Sequence, residues 1–307
     1  MNMLPTPHGD KLQATLANEK LPAADKARVS RALKKYSEWK ADLASLPAGN
    51  PGGIDAATEL LQAYRLYVDV ELIFDSPDDF LYRQKGQLKL DNSVLEEFLP
   101  YLARIALASD LIRRLKLGPQ ACYSALYFGS HIAVASKLPG MQVRSKDQDF
   151  AISRQVTIEA SFPTLGKAKE HKDSVDTHLA YFCAECKTNL DKTMFQEAVA
   201  TAHDLKTAVA GAKYYLLCEW LDMSPISTAG TDIDEVLVLR KARRLGAQIR
   251  SDFSSAAGRK KRRAEYLAYL TEHPFSVDVL RRVMNHMQHA FDDSEPEEKS
   301  VLIAGYF

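Results

Sequence analysis

The sequence predicts an α/β fold of the α+β kind, a mixed sheet flanked by helices, with helical N-terminal and C-terminal regions. Three observations predict it. Apolar residues recur at helical spacing through residues 1–110. After Gly118-Pro119 the pattern changes to short apolar runs separated by polar or Gly/Pro-bearing connections. A strand, helix, strand succession around residues 187–220 then implies a right-handed parallel crossover. The expected division is a helical region over 1–110, a sheet-bearing core over 111–245 and a second helical region over 246–307.

Along the chain, Leu21-Pro22-Ala23-Ala24-Asp25 opens a helix running to about Leu46. Pro22 falls near its first turn, where a missing N–H costs nothing. The run Pro47-Ala48-Gly49-Asn50-Pro51-Gly52-Gly53 breaks it. Residues 54–74 carry Leu60, Leu61, Tyr64, Tyr67, Val68 and Leu72 at helical spacing, up to the break at Ser76-Pro77-Asp78-Asp79. Asp91-Asn92-Ser93 supplies N-cap side chains ahead of Val94-Leu95-Glu96-Glu97-Phe98-Leu99. Pro100 is expected to kink or interrupt that helix. Strands are expected over 123–128, 150–152, 156–158 and 179–183, then a helix over 193–209 closed by Gly211. Strands follow over 213–220 and 235–239, and the tail from about residue 245 is helical again. The run Asp292-Asp293-Ser294-Glu295-Pro296-Glu297-Glu298 reads as an exposed acidic linker.

At 307 residues the chain is long enough for a substantial core. Its 46% apolar and 26% charged residues exclude global disorder. No apolar run approaches the ~20 residues of a spanning helix, and the first residues lack the charged-then-apolar order of a signal peptide. A cytoplasmic protein with no membrane contact is expected. Formal net charge is zero, so nucleic-acid binding would need basic residues concentrated on one surface. Arg240-Lys241-Ala242-Arg243-Arg244 and Gly258-Arg259-Lys260-Lys261-Arg262-Arg263 are the candidates, a solvated helix face being the other reading of each. The four cysteines are Cys122, Cys183, Cys186 and Cys218. Cys183 and Cys186 form a Cys-x-x-Cys, but no second ligand pair accompanies it. They lie inside an apolar run instead of opening a helix, so buried small side chains are the expectation.

The run Ala184-Glu185-Cys186-Lys187-Thr188-Asn189-Leu190-Asp191-Lys192 follows the apolar strand Leu179-Ala180-Tyr181-Phe182-Cys183. Alternation along a strand puts Glu185 and Lys187 on one face. A carboxylate and an ammonium side by side near a strand's end suit a hard cation plus an activated water. Upstream, Lys146-Asp147-Gln148-Asp149-Phe150-Ala151-Ile152 again leads from acid into an apolar strand. Phe150 and Ile152 share one face, leaving Asp149 with Ala151 on the other; Asp147 remains a rival acid.

Acid, strand, then Glu-x-Lys resembles the PD-(D/E)XK nucleases. The longer run Glu185-Cys186-Lys187-Thr188-Asn189-Leu190-Asp191-Lys192-Thr193-Met194-Phe195-Gln196-Glu197-Ala198 resembles type II restriction endonucleases of the Bpu10I and BbvCI family, and residues 144–152 and 212–220 look similar too. The resemblance spans about residues 118–270. It implies a PD-(D/E)XK restriction-endonuclease-like core and Mg2+-dependent, sequence-specific hydrolysis of double-stranded DNA, leaving a 5′-phosphate. It also implies a dimeric working form, as a homodimer or a heterodimer with a related subunit, and suggests a site related to CTNAG.

Under that resemblance Asp149, Glu185 and Lys187 are the catalytic residues. Asp149, Glu185 and the main-chain carbonyl of Cys186 would hold Mg2+, with Lys187 polarising the attacking water. Asp147 and Gln196 are supporting candidates, and Glu59 or Glu71 could add a further acid from a preceding helix. Asn189, Lys192, Lys206, Arg259, Lys260, Lys261 and the loop Gly166-Lys167-Ala168-Lys169-Glu170-His171-Lys172 are candidates for contacting DNA, and the N-terminal region for recognition or dimerisation. Gln148 departs from the superfamily pattern, which has proline there. Two alternatives stay open: a catalytic or DNA-binding subunit of a heterodimeric restriction enzyme, and a structure-specific repair nuclease with the same core.

Overall fold

The structure, a computed structural model of the chain, describes residues 4–129, 140–162, 171–291 and 297–305. Residues 163–170 and 292–296, which contain most of the lysine-rich loop and of the acidic linker expected above, lie outside those residues. Helices α1 (Pro7–Leu16), α2 (Ala23–Ser45), α3 (Ile54–Leu66), α4 (Phe80–Gln84), α5 (Ser93–Ala106) and α6 (Ser109–Ile112) precede the sheet. Strands β1 (Lys116–Gly129), β2 (Gly140–Phe162) and β3 (His171–Leu190) lead to α7 (Lys192–Ala208), then β4 (Lys213–Leu221) and β5 (Glu235–Arg243). Helices α8 (Ala247–Asp252), α9 (Ala256–Glu272), α10 (Val277–His289) and α11 (Glu298–Ala304) follow.

The strands lie in sequence order in one five-stranded sheet. β1, β2 and β3 are antiparallel, whereas β3, β4 and β5 run parallel. This is the mixed sheet flanked by helices that the sequence predicts, with α7 as the parallel crossover. Period-two alternation sorts the side chains into two layers. Phe150, Ile152, Phe182, Ala184, Cys186, Tyr215 and Leu217 pack with α3, α5 and α10. Ala151, Cys183, Tyr214, Leu216 and Cys218 pack against Phe195, Ala198, Ala202 and Leu205 of α7. Cys183 and Cys186 therefore occupy opposite layers, both buried and free, and cannot act as a pair.

The elements differ from expectation in three places. Pro100 lies inside an uninterrupted α5. Its ring removes the N–H that would bond the Glu96 carbonyl, at a cost of about 3 kcal/mol. The helix stays whole because Val94, Leu95, Phe98, Leu99 and Leu102 are completely buried around it. β2 is one strand where two short ones were expected, with a register shift at Ile152/Ser153. Ser153-Arg154-Gln155 breaks the apolar pattern, but the backbone ladder with β3 is indifferent to side-chain polarity. Beyond α3, Tyr67–Phe74 continues in wider π-type turns, closed by the Asp75 N–H donating to the Val70 carbonyl at 2.8 Å.

Arginines tie the helical regions to the sheet. Glu219 on β4 is completely buried between Arg65 of α3 and Arg240 of β5, each 3.0 Å away. Arg65 also pairs with Asp69 at 3.0 Å, and Arg240 donates to the His273 carbonyl at 2.9 Å. Arg259, expected at a DNA surface, is a correction: it is 1% exposed. Its guanidinium donates to the carbonyls of Phe74, Ser76 and Asp78 around the turn after Phe74, and to that of Phe253 at the end of α8, at 2.7–3.1 Å. In the same two basic runs, Arg244, Arg262 and Arg263 pair with Asp222, Asp252 and Asp75.

His8 on α1 is completely buried, with Nδ1 2.9 Å from Ser93 Oγ and Nε2 2.8 Å from the Tyr64 hydroxyl. Burial, reinforced by Arg65, pushes its pKa down to about 3. The folded protein thus keeps His8 neutral at a pH where the unfolded chain, with a histidine pKa near 6.5, takes up the proton. Stability is fully present above about pH 6.5 and falls by ~1.4 kcal/mol per pH unit below it. Urea unfolding of wild type and His8→Asn between about pH 7 and 4.5 should show a shallower loss for the variant. Parallel losses would refute the assignment.

Candidate active site

The pairing of β2 with β3 stops at Phe150–Ala184. Past that point β3 pairs, among the described residues, with its parallel partner β4 alone, as far as Leu190–Leu221. Asp149, the residue next to the last pair, turns its carboxylate into the gap, where Oδ2 accepts the Cys186 N–H at 3.0 Å. That bond satisfies an amide that β2 would otherwise have paired. The N–H and C=O of one strand residue point to the same side, so the Cys186 carbonyl opens on the same gap.

Lys187 Nζ lies 2.7 Å from Glu185 Oε1, on the strand face that alternation assigned to both. Burial raises the pKa of Glu185, the charge of Asp149 raises it further, and Lys187 partly opposes them. Burial works against the charged form of Lys187, but Glu185, Asp149 and Glu197 together outweigh it and the ammonium is held more firmly than usual. α7 begins immediately after this strand because the Asp191 side chain accepts the Met194 N–H at 2.9 Å, an N-cap.

A third acid comes from α5. Glu96 is 4% exposed, and burial followed by the Asp149 charge raises its pKa. Asn92 Nδ2 donates to Glu96 Oε1 at 3.1 Å, and Lys89 Nζ sits 3.3 Å from the same oxygen and 3.5 Å from Asp149 Oδ1. Glu59 and Glu71 are exposed, and Glu71 lies beside Arg28 of α2. Sequence reasoning missed Glu96, Asn92 and Lys89. The available signal was an acid pair, Glu96-Glu97, inside an otherwise apolar helix, since carboxylates are buried only when something compensates them. Glu97 is accounted for otherwise: it accepts the His8 and Gly9 amides and the Tyr36 hydroxyl.

The other expected residues distribute unevenly. Asp147 is exposed and shares an open groove of about 320 Å³ with Lys89, Glu96, Gln120, Gln148 and Asp149. Of the two rival acids it is Asp149 that contacts Cys186 and Lys89. Gln148 is buried and donates to the Asp147 carbonyl at 3.1 Å, and its Oε1 has no hydrogen-bond partner among the described residues. Gln196 is exposed on α7, and the acid of that helix whose charge reaches Lys187 is Glu197. Asn189 is half-buried at the end of β3, lining a small cleft with Trp220, Arg244 and Arg250. Lys192, Lys260 and Lys261 are exposed, whereas Lys206 is held by Asp234 at 3.0 Å.

These groups suit a hard cation. The donors are oxygens throughout: the carboxylates of Asp149, Glu185 and Glu96, the Cys186 carbonyl and the unpartnered Gln148 amide oxygen. Among the described residues, no three His, Cys, Asp or Glu side chains already converge as a ready-made cation cage. The ammonium groups of Lys89 and Lys187 stand among the carboxylates instead.

Comparison with known proteins gives two findings. The chain superposes on a solved structure described as a native BbvCI A2B2 tetramer with a TM-score of 0.54, at 15% identity, over 96% of this chain and 100% of that one. No curated protein sequence matches it. A family model, the Bpu10I restriction endonuclease, matches residues 87–307, well over half of the chain and all of the groups just described. The chain belongs to the Bpu10I restriction endonuclease family.

Proposed function

We propose that this protein is a type II restriction endonuclease that hydrolyses phosphodiester bonds of double-stranded DNA with Mg2+. The observation that carries the reading is the contact of Glu185 with Lys187 on β3, beside Asp149, where β2 parts from β3. Family membership supports the same reading. Asp149, Glu185 and the Cys186 carbonyl would hold Mg2+, with Glu96 as the nearest further carboxylate. Bound there, the ion supplies charge neutralisation at the phosphate and a more acidic water. Lys187 donates hydrogen bonds to the attacking water and to the phosphate oxygen that gains charge. Glu185 keeps the Lys187 ammonium protonated and positioned, and Asp149 is itself fixed by the Cys186 amide. The water oxygen bonds to phosphorus and gives up its proton to bulk water, the bond to the 3′ oxygen breaks, and that oxygen leaves as a hydroxyl after taking a proton from bulk water.

DNA is the partner. Asn189, Lys192, Lys260 and Lys261 are the side chains proposed to meet it, and Asp147 lies in the same groove as Asp149. The N-terminal helices are proposed to serve recognition or dimerisation, and the target to be related to CTNAG. The working form is a dimer or an assembly with a related subunit. The A2B2 description of the similar BbvCI structure favours a second subunit. No described helix is long and apolar enough to cross a membrane, and a cytoplasmic site of action fits a DNA substrate.

Incubation of a sequenced plasmid with the purified chain and Mg2+ should give discrete fragments. Lys187→Ala or added EDTA should slow cutting by about 10³-fold or more. Nicking alone would indicate a missing partner subunit, and metal-independent cutting would sink the mechanism. The two candidate acids separate in the same assay. Asp149→Ala should lose cleavage to a similar degree, whereas Asp147→Ala should stay within about fivefold of wild type. The reverse pattern would transfer the metal-binding role to Asp147.

A further inference from the structure

We infer that Lys89 is a tethered cation standing between Asp149 and Glu96, where it competes with a divalent ion for the same carboxylates. This inference rests on the metal-dependent reading just given. A single ammonium contacts one oxygen of each acid, at 3.5 Å and 3.3 Å, and the two acids come from different elements, β2 and α5. Nothing else described in the structure bridges them.

The backbone explains why the ammonium is there. Lys89 has φ +50°, a left-handed conformation unusual for a residue with a Cβ. It is held by its N–H donating to the Gly86 carbonyl at 3.1 Å and by its carbonyl accepting the Ser93 N–H at 3.2 Å. The turn is thus anchored to the start of α5, three residues beyond which comes Glu96, and the side chain enters the groove that Glu96 and Asp149 line. Without a positive charge between them the two carboxylates would face each other half-desolvated, which the folded chain must avoid.

Lys89 is also the removable member of the site. Its side chain is 46% exposed, against 25% for Lys187, and its contacts are longer than the 2.7 Å of Lys187 to Glu185. A long flexible stem lets the ammonium swing into water while Asn92 keeps its bond to Glu96. Metal binding and Lys89 docking then exclude one another, and the apparent metal affinity is lowered by the fraction of molecules in which Lys89 is docked.

The test is Mn2+ binding without DNA, followed by electron paramagnetic resonance of the free ion, on wild type, Lys89→Met, Lys89→Gly and Lys89→Arg. Glycine accepts the positive φ without strain, so that variant guards against a folding defect. Thermal unfolding in EDTA and in Mn2+ is measured alongside. Lys89→Met and Lys89→Gly are expected to bind Mn2+ about 10-fold more tightly, to melt lower in EDTA and to gain more from Mn2+, with Lys89→Arg near wild type. Unchanged or weaker binding by both Met and Gly variants overturns the inference. If the wild type still binds Mn2+ and cuts DNA in that case, the nuclease reading stands without it. If no protein of the set binds Mn2+ or cuts, both readings fall together.

Discussion

The amide of Cys186 donates to the side chain of Asp149, and the candidate site is built outward from that bond. One further backbone pair between β2 and β3 would satisfy the amide internally and leave Asp149 a mere surface acid. Because the ladder stops at Phe150–Ala184, a side-chain carboxylate takes the place of a backbone acceptor. Losing it would strand a buried donor, at roughly 1–3 kcal/mol, so the carboxylate stays. A negative charge fixed at that point raises the proton affinity of Glu185 and Glu96 beyond what their burial does. It also makes ammonium groups welcome, which is where Lys89 and Lys187 sit.

The second constraint is what the arginines do. Arg65, Arg240 and Arg259 are among the most deeply buried side chains of the molecule, spent on Glu219, Asp69 and a set of carbonyl oxygens. Desolvating a guanidinium is expensive unless its donors are all met, and a planar fork with several N–H groups meets such demands better than lysine does. These contacts join α3, the sheet and the α9–α10 connection. A count of basic residues therefore overstates the charge this chain can present to a phosphate backbone. Lys192, Lys260 and Lys261 are exposed, whereas Arg259 is buried and Arg262 and Arg263 are engaged by Asp252 and Asp75.

The parts of this architecture that were legible in the sequence are those carried by local periodicity. Alternation around Phe150 and Ile152, and around Cys183 to Lys187, separated the faces of β2 and β3 and put Glu185 beside Lys187. The crossover through α7 follows from the succession of strand, helix and strand around residues 187–220. What escaped depends on tertiary placement. Arg259 reads as one of five clustered charges until the turn after Phe74 supplies carbonyls for it. Pro100 reads as a breaker until the burial of α5 is known. Glu96 is more than fifty residues from Asp149 in the chain, and no spacing rule connects them.

That last separation bears on where the site begins. A boundary at residue 110 would assign Glu96 and Lys89 to a helical region and Asp149, Glu185 and Lys187 to a sheet. The contacts cross that line: Lys89 touches both Glu96 and Asp149, and α5 packs under the strands that carry the remaining groups. The family match starts at residue 87, inside the turn from Gly86 that holds Lys89, and so takes in the whole constellation while leaving α1 to α4 outside it. Three carboxylates and two ammonium groups leave the fully ionised site with one net negative charge. On the proposed reading, a divalent cation that displaces Lys89 would bring the sum to zero, whereas DNA without the ion would meet carboxylates of its own charge. The helix before the sheet is thus as much a part of the proposed chemistry as the strands, because it sets the balance of charge that a phosphate would meet.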